Sequence, residues 1–316
     1  MSIVPFAPPN EGAVLVAGAG GGYDFLCGLP IIIELEKRGR EVLIANYSFS
    51  NLTAIKKAKW HRESLLEINA DSVLEGSDYF PESFLSKWYR SRNVEKPIWC
   101  FPRVGVTPIL DAYNYLIDKF NITTVFCVDG GVDGIFRGDE YDLGTPSMDS
   151  ISVIAVSMSK APLSIYVCTA FGTEGAEGKV SHAQALNRMA DLIREGALLG
   201  VSIINGSDTT GQDFSHAVRY IFSQTDPIRR SVIISTLMAS IEGNYGRISV
   251  HPKTEERKPW ISPLTSLVWY FQAKHVAKMK YFYEKSKNTR SVTEVAEAIE
   301  GIRKERPIEP YEDIPI

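Results

Sequence analysis

The run Ala13-Val-Leu-Val-Ala-Gly18, followed by Ala19-Gly-Gly-Gly-Tyr-Asp24 and then Phe25-Leu-Cys-Gly-Leu-Pro30, decides the fold. A run of apolar and small residues without alternation marks a strand buried on both faces, the kind that parallel sheets contain. Glycines then turn the chain. A helical pattern follows from about Phe25 to Arg38, and Gly39 ends it as a C′ residue.

The same unit recurs downstream. Glu41–Tyr47, Pro97–Phe101, Ile122–Val128 and Leu163–Phe171 read as strands. Between them, Thr107 with Pro108 reads as an N-cap and first helical position for a helix to about Phe120. Ser147–Ser159 is a second helical pattern, and Ser181 caps a third that runs to about Gly196. Strand and helix in alternation predict an α/β protein with a Rossmann-like, doubly wound, mainly parallel sheet and helices on both faces. Past residue 200 the pattern turns helical, at Asp213–Ser223, at Arg229–Glu242 and after the capping box Ser291-Val-Thr-Glu294. Lys274–Arg290 reads as a helix with solvated lysines, and Pro307–Pro315 as a surface arm. The expectation is one α/β domain over 1–316. Residues 1–200 form its sheet core, and the helix-rich part 201–316 packs on the same domain.

A chain of 316 residues with 44% hydrophobic and 23% charged residues has enough core to fold without a disulfide or metal staple. Its net charge of −4 supplies no basic field, so no nucleic-acid partner is expected. Cys27, Cys100, Cys127 and Cys168 all sit in apolar stretches and read as buried, reduced thiols. The start, Met-Ser-Ile-Val-Pro, lacks the charged and apolar regions of a signal peptide. No apolar run reaches the roughly 18 residues of a spanning helix. A cytoplasmic protein without a membrane partner is expected. The sequence leaves a homo-oligomer open.

Sheets of this kind bind ligands beyond the carboxyl ends of their strands, so the loops there carry the functional reading. Gly18, Gly20, Gly21, Gly22 and Tyr23 follow the first strand and have the general shape of a phosphate cradle at a helix N-terminus. An equally plain reading has the glycines making a tight turn while Asp24 caps the helix. The dinucleotide fingerprint is only partly met, because Tyr23 occupies its third glycine position and Asn46, not an acid, ends the second strand. An ordinary NAD site is therefore not expected. No P-loop, no G-x-S-x-G elbow and no paired-histidine spacing occurs, which disfavours serine hydrolysis and zinc.

Repetition raises the functional reading. Gly21-Gly22-Tyr23-Asp24 is matched by Gly130-Gly131-Val132-Asp133, which follows another buried strand and Asp129. Asp139, Glu140, Asp142 and Asp149 continue this acidic loop against the single base Arg137, with Asp142 best read as a turn residue. A third glycine loop brings Glu174 and Glu177. Asp24, Asp129 and Asp133 are the candidate reactive carboxylates and the candidate metal ligands. The other glycines and acids named would bind ligand. Oxygen ligands alone favour Mg²⁺, Ca²⁺ or Mn²⁺ over zinc. Convergent carboxylates repel, so either a divalent ion or an arginine, Arg137 or Arg103, is expected among them. His182 reads as structural or surface.

Strand-Gly-x-Gly-Gly-Gly-x-Asp with Gly28-Leu29-Pro30, the Val-Asp-Gly-Gly-x-Asp loop with Gly138-Asp139-Glu140, and Thr145-Pro146 before Asp149 resemble the domain of unknown function 1152 family. The likeness spans Val14 to about Ser181 and extends weakly to Ser262-Pro263-Leu264. It implies one microbial domain of about this length and marks the loops that matter. It assigns no reaction. Two classes stay open. One is a hydrolase or group transferase acting on a nucleotide-like or sugar-containing small molecule in a carboxylate-lined cleft. The other is a protein that binds or senses such a ligand in the same cleft without turnover.

Overall fold

The computed structural model describes residues 2–77, 79–174 and 180–314. Its strands are β1 (Ala13–Gly18), β2 (Val42–Tyr47), β3 (Lys59–Arg62), β4 (Leu65–Ile68), β5 (Ile98–Phe101), β6 (Ile122–Asp129), β7 (Leu163–Cys168), β8 (Leu198–Ile203), β9 (Gly246–Arg247), β10 (Trp260–Ile261) and β11 (Leu267–Gln272). Nine of them form one sheet in the order β3-β4-β5-β2-β1-β6-β7-β11-β8, and β9 pairs with β10 apart from it. The central five, β5-β2-β1-β6-β7, are parallel. Both margins are antiparallel. Taken by themselves, the parallel strands lie third, second, first, fourth, fifth, the Rossmann order, and the winding reverses between β1 and β6.

Helices cover both faces: α1 (Asp24–Cys27), α2 (Leu29–Lys37), α3 (Pro81–Arg90), α4 (Val106–Phe120), α5 (Pro146–Met158), α6 (His182–Arg194), α7 (Thr209–Ser223), α8 (Val232–Ile241), α9 (Ala273–Met279), α10 (Tyr283–Ser286) and α11 (Val292–Glu305). Alternate residues of β1 serve the two faces. Leu15 and Ala17 pack with α4, α5, α6, α9 and α11. Val14 and Val16 pack with α1, α2, α3, α7 and α8. The unalternating run in the sequence is thus the signature of a strand with core on both sides.

Several boundaries move. The helix expected over Phe25–Arg38 is two, because Pro30 has no N–H to give and restarts the helix at its first turn. Gly28 lies at the break, where a Cβ would come within 2.6 Å of Val16 Cγ1. Thr107 is not the cap of α4, which starts at Val106 behind Gly105. Its hydroxyl instead donates to Thr289 O at 3.0 Å. Ser181 and Ser291 do cap, accepting from Gln184 N and Glu294 N. The C-terminal third is helical as expected but also supplies β11, inserted between β7 and β8. The basic run after it is broken into α9 and α10, and Lys280 between them is buried, not solvated. The four cysteines are buried and unpaired. Among the described residues no helix is long and apolar enough to cross a membrane.

Candidate functional site

The loops that leave β1 and β6 part at the reversal point and open a cleft of about 440 Å³. Gly20–Asp24 line it from the first loop, and Asp129, Gly130 and Asp133 from the second. Thr145 and Asp149 join them from the start of α5, and Glu174 from the segment after β7. Five buried carboxylates therefore border one cleft: Asp24, Asp129, Asp133, Asp149 and Glu174.

Each is set in place by its local backbone. Asp24 opens α1, and its Oδ2 accepts from Gly20 N at 2.7 Å. Asp129 ends β6, and its Oδ2 accepts from the buried Tyr166 hydroxyl and from Gly134 N at 3.1 Å. Asp133 begins a single 3₁₀ turn to Ile135, and its Oδ2 accepts from Thr145 N at 2.9 Å. Glu174 Oε1 accepts from Val132 N. Its Oε2 faces His182 Nε2 at 3.4 Å, so the histidine meets the site through this acid. Asp149, in the first turn of α5, is only 1% exposed, and its Oδ2 has no hydrogen-bond partner among the described residues.

The glycines make room for the acids. A Cβ on Gly20 would lie 2.7 Å from Asp24 Oδ2 and closer still to Asp149. On Gly130 it would lie 2.8 Å from Asp24 Oδ1, and on Gly131 2.9 Å from Glu174 Oε1. One on Gly134 would strike Asp129, and one on Gly144 would strike Asp133. Gly21 and Gly22 do different work. Their φ angles of +99° and +63° are open to glycine at little cost, and Phe49 and the Tyr79 hydroxyl occupy the space a side chain would fill. In the second Gly-Gly-x-Asp both glycines thus make room for carboxylates, whereas at the first copy that falls to Gly20 just before it.

Burial raises the pKa of Asp129, and Asp133 beside it raises it further. Burial and then Glu174 do the same to Asp133, and burial and then Asp129 to Asp149. The expected arginine is not among these acids. Arg137 turns away to Glu309 at 2.8 Å and Asp139 at 3.3 Å, and neither it nor Arg103 lines the cleft. Lys280 approaches from within the core instead, with its Nζ on Gly134 O at 2.7 Å and Phe136 O at 3.0 Å. Burial lowers its pKa to about 8, against the pull of Asp149, Glu140, Asp129 and Asp133. Among the described residues, Asp24, Asp129 and Asp149 each bring a carboxylate oxygen within 4.8 Å of the other two. Asp133, expected as a metal ligand, is outside that group.

Other expected residues lie elsewhere. Gly18 packs beneath Asn46 and Phe25. Asn46 props the first loop, donating to Gly22 O at 2.9 Å and to the buried Glu82 at 2.8 Å. Asp139 pairs with Arg137. Glu140 accepts from Arg137 N and Gly138 N, both at 2.9 Å, and lies 3.7 Å from the buried Arg188. Both acids brace the loop and do not line the cleft. Asp142 is a turn residue, accepting from Gly144 N at 3.0 Å, and also reaches the cleft wall. Glu177 lies outside the described residues. Phe49, Tyr79, Met148, Arg229, Arg230, Ile233 and Lys253 complete the wall. No spacing announces them, since the fold brings them in from far along the chain.

Fold and site together define a Rossmann-like α/β protein with a carboxylate-lined cleft at its winding reversal. The chain belongs to the family described as protein of unknown function (DUF1152), whose pattern matches residues 15–306. No curated protein and no solved structure matches it.

Proposed function

We propose that the chain is an enzyme of the hydrolase or group-transferase type, acting on a nucleotide-like or sugar-containing small molecule in the carboxylate-lined cleft. The observation that carries this reading is the burial of five carboxylates around one cleft. Gathering acids in this way costs stability, and such costs concentrate where chemistry needs them. Asp133 is the general base of the reading. Thr145 N–H fixes one of its oxygens, and the other takes the proton of a bound water or hydroxyl as that group attacks the phosphorus or anomeric carbon. The bond from that atom to the leaving oxygen breaks, and the leaving oxygen takes a proton from solvent. Phe49, which is 40% exposed, lies with Tyr79 against the glycine loop and offers a flat apolar surface to a base or sugar ring. Arg229, Arg230 and Lys253 add cations to the wall, as an anionic group on the ligand requires.

The test is a panel of nucleotides, nucleotide-sugars and glycosides offered to wild type and to Asp133→Asn. Wild type is expected to turn over a member of the panel. The variant should hold ligand within about tenfold of wild type and lose turnover by about 10² or more. A wild-type protein that binds a panel member and never turns it over is a sensor, which overturns the enzyme.

A further inference from the structure

We infer that Asp24, Asp129 and Asp149 hold one hard divalent cation, Mg²⁺, Mn²⁺ or Ca²⁺, on the floor of the cleft. Their oxygens lie within 4.8 Å of one another. An ion that binds oxygens at about 2.0–2.6 Å reaches all of a set spaced this way after small adjustments. The three acids come from three separate elements, the starts of α1 and α5 and the end of β6, so no single turn accounts for their meeting.

A second observation is independent of the clustering. Asp149 is 1% exposed, lines the cleft, and leaves Oδ2 without a hydrogen-bond partner among the described residues. A buried carboxylate oxygen with nothing to accept from is among the costliest arrangements in a protein interior. A cation removes that cost. The neighbouring acids carry the outer supports usual for metal ligands, namely Gly20 N on Asp24 and the Tyr166 hydroxyl and Gly134 N on Asp129. Absent side chains at Gly20 and Gly130 let the three approach.

The donor set selects the ion. The three acids offer oxygen alone, which suits a hard cation and not zinc. Cys27 Sγ comes near, since it would lie 3.0 Å from a Cβ on Gly130. That thiol is not among the atoms that lie within 4.8 Å of one another, so the set that meets is oxygen alone. Three protein carboxylates leave coordination positions for water or for an oxygen of the bound molecule. The inference deepens the proposed enzyme by giving it a place for an anionic substrate group, but ion binding itself does not depend on turnover.

The full-length protein, stripped with EDTA, is titrated with MgCl₂, MnCl₂ and CaCl₂ by calorimetry and melted with each, and Mn²⁺ spin resonance counts the sites. One ion per chain is expected, with the melting temperature raised by a few degrees at roughly 100 times Kd. Asp149→Asn keeps the shape and should weaken binding by at least about tenfold, while Glu75→Gln, at an exposed acid paired with Lys56 that does not line the cleft, should not. If Asp149→Asn does not fold, Tyr166→Phe decides, because it keeps all three ligands and loses an orienting donor; a drop of about 10- to 100-fold is expected. No heat and no shift in melting up to about 10 mM of any of the three ions overturns the site. So does unchanged affinity in the deciding variant, or tighter binding of Zn²⁺ than of all three. The two proposals fail separately. Ion binding without turnover removes the enzyme and keeps the cation, and turnover by a protein that gives no heat and no melting shift with any of the three ions does the reverse.

Discussion

Tyr166 shows how much a single hydroxyl is asked to do. Its ring is fully buried in β7, and its O–H donates to Asp129 Oδ2. That bond holds down a pKa that burial and Asp133 push up. Phenylalanine fills the same volume without the donor. A hydrogen bond to a charged group contributes about 1.5–3 kcal/mol, and among the described residues Gly134 N remains as a second donor to that oxygen. Tyr166→Phe is therefore expected to lower the unfolding free energy in urea by about 1–3 kcal/mol. A change below about 0.5 kcal/mol, the scale of an ordinary surface substitution, would mean that the bond contributes nothing. In the sequence Tyr166 is simply an aromatic in a strand. The acid it serves was legible, being the last residue of a buried run with glycines after it. The donor was not, because its role depends on β7 lying beside β6, with Cys127 opposite Tyr166.

The 3₁₀ turn Asp133–Ile135 is held by Asp129 on Gly134 N and, on its carbonyl side, by one lysine. Lys280, following α9, bonds the carbonyls of Gly134 and Phe136 and so sets the turn that presents Asp133. The basic run Lys274–Arg290 pointed to solvent when read alone, and it took the placement of β11 against β7 to carry α9 over α5 and turn one lysine inward. Pairing across a hundred residues leaves no local signal. By contrast, the glycine-acid loops and the capping box at Ser291 were legible because each rests on neighbours in sequence. Lys280→Met should cost about 2–3 kcal/mol at pH 7, leaving two buried carbonyls without this donor and the acids without its charge. The cost has a pH signature. The folded-state pKa of Lys280 is near 8, below the ordinary lysine value of 10.5. The unfolded chain thus binds the proton more tightly, and the lysine's contribution to stability rises with pH between these values and is lost as pH falls through the lower one. Denaturant melts at pH 7 and pH 10 should show a larger gap between wild type and Lys280→Met at pH 10. A gap that shrinks would mean that folding raises the lysine's pKa, and an unchanged gap that it does not titrate between these values.

At the scale of the molecule, the two halves of the chain share one sheet. β8 has β11 as its neighbour in the sheet, and β11 is what separates β8 from β7. Both hydrophobic layers draw on both halves: Phe271, Val276 and Ile299 join one, Phe214, Leu237 and Tyr270 the other. The tail beyond α11 is tied down as well, with Glu309 on Arg137 at 2.8 Å, Ser181 Oγ on Glu312 O at 2.6 Å, and the rings of Tyr141 and Tyr311 5.6 Å apart. A fragment of residues 1–204 would keep the five parallel strands and most of the glycine-acid loops. It would open the β7 edge to solvent, strand β8, and uncover α5 where α9 and α11 pack. An exposed apolar edge of this kind favours association over folding. The fragment is therefore expected to show no cooperative thermal transition and to bind a hydrophobic dye, whereas the full chain should melt in one step with coincident far- and near-ultraviolet dichroism. A fragment with a cooperative melt and native-like near-ultraviolet dichroism would make 1–204 a folding unit in its own right. The later half, Lys280 included, would then be an addition to the site and not part of the unit that builds it.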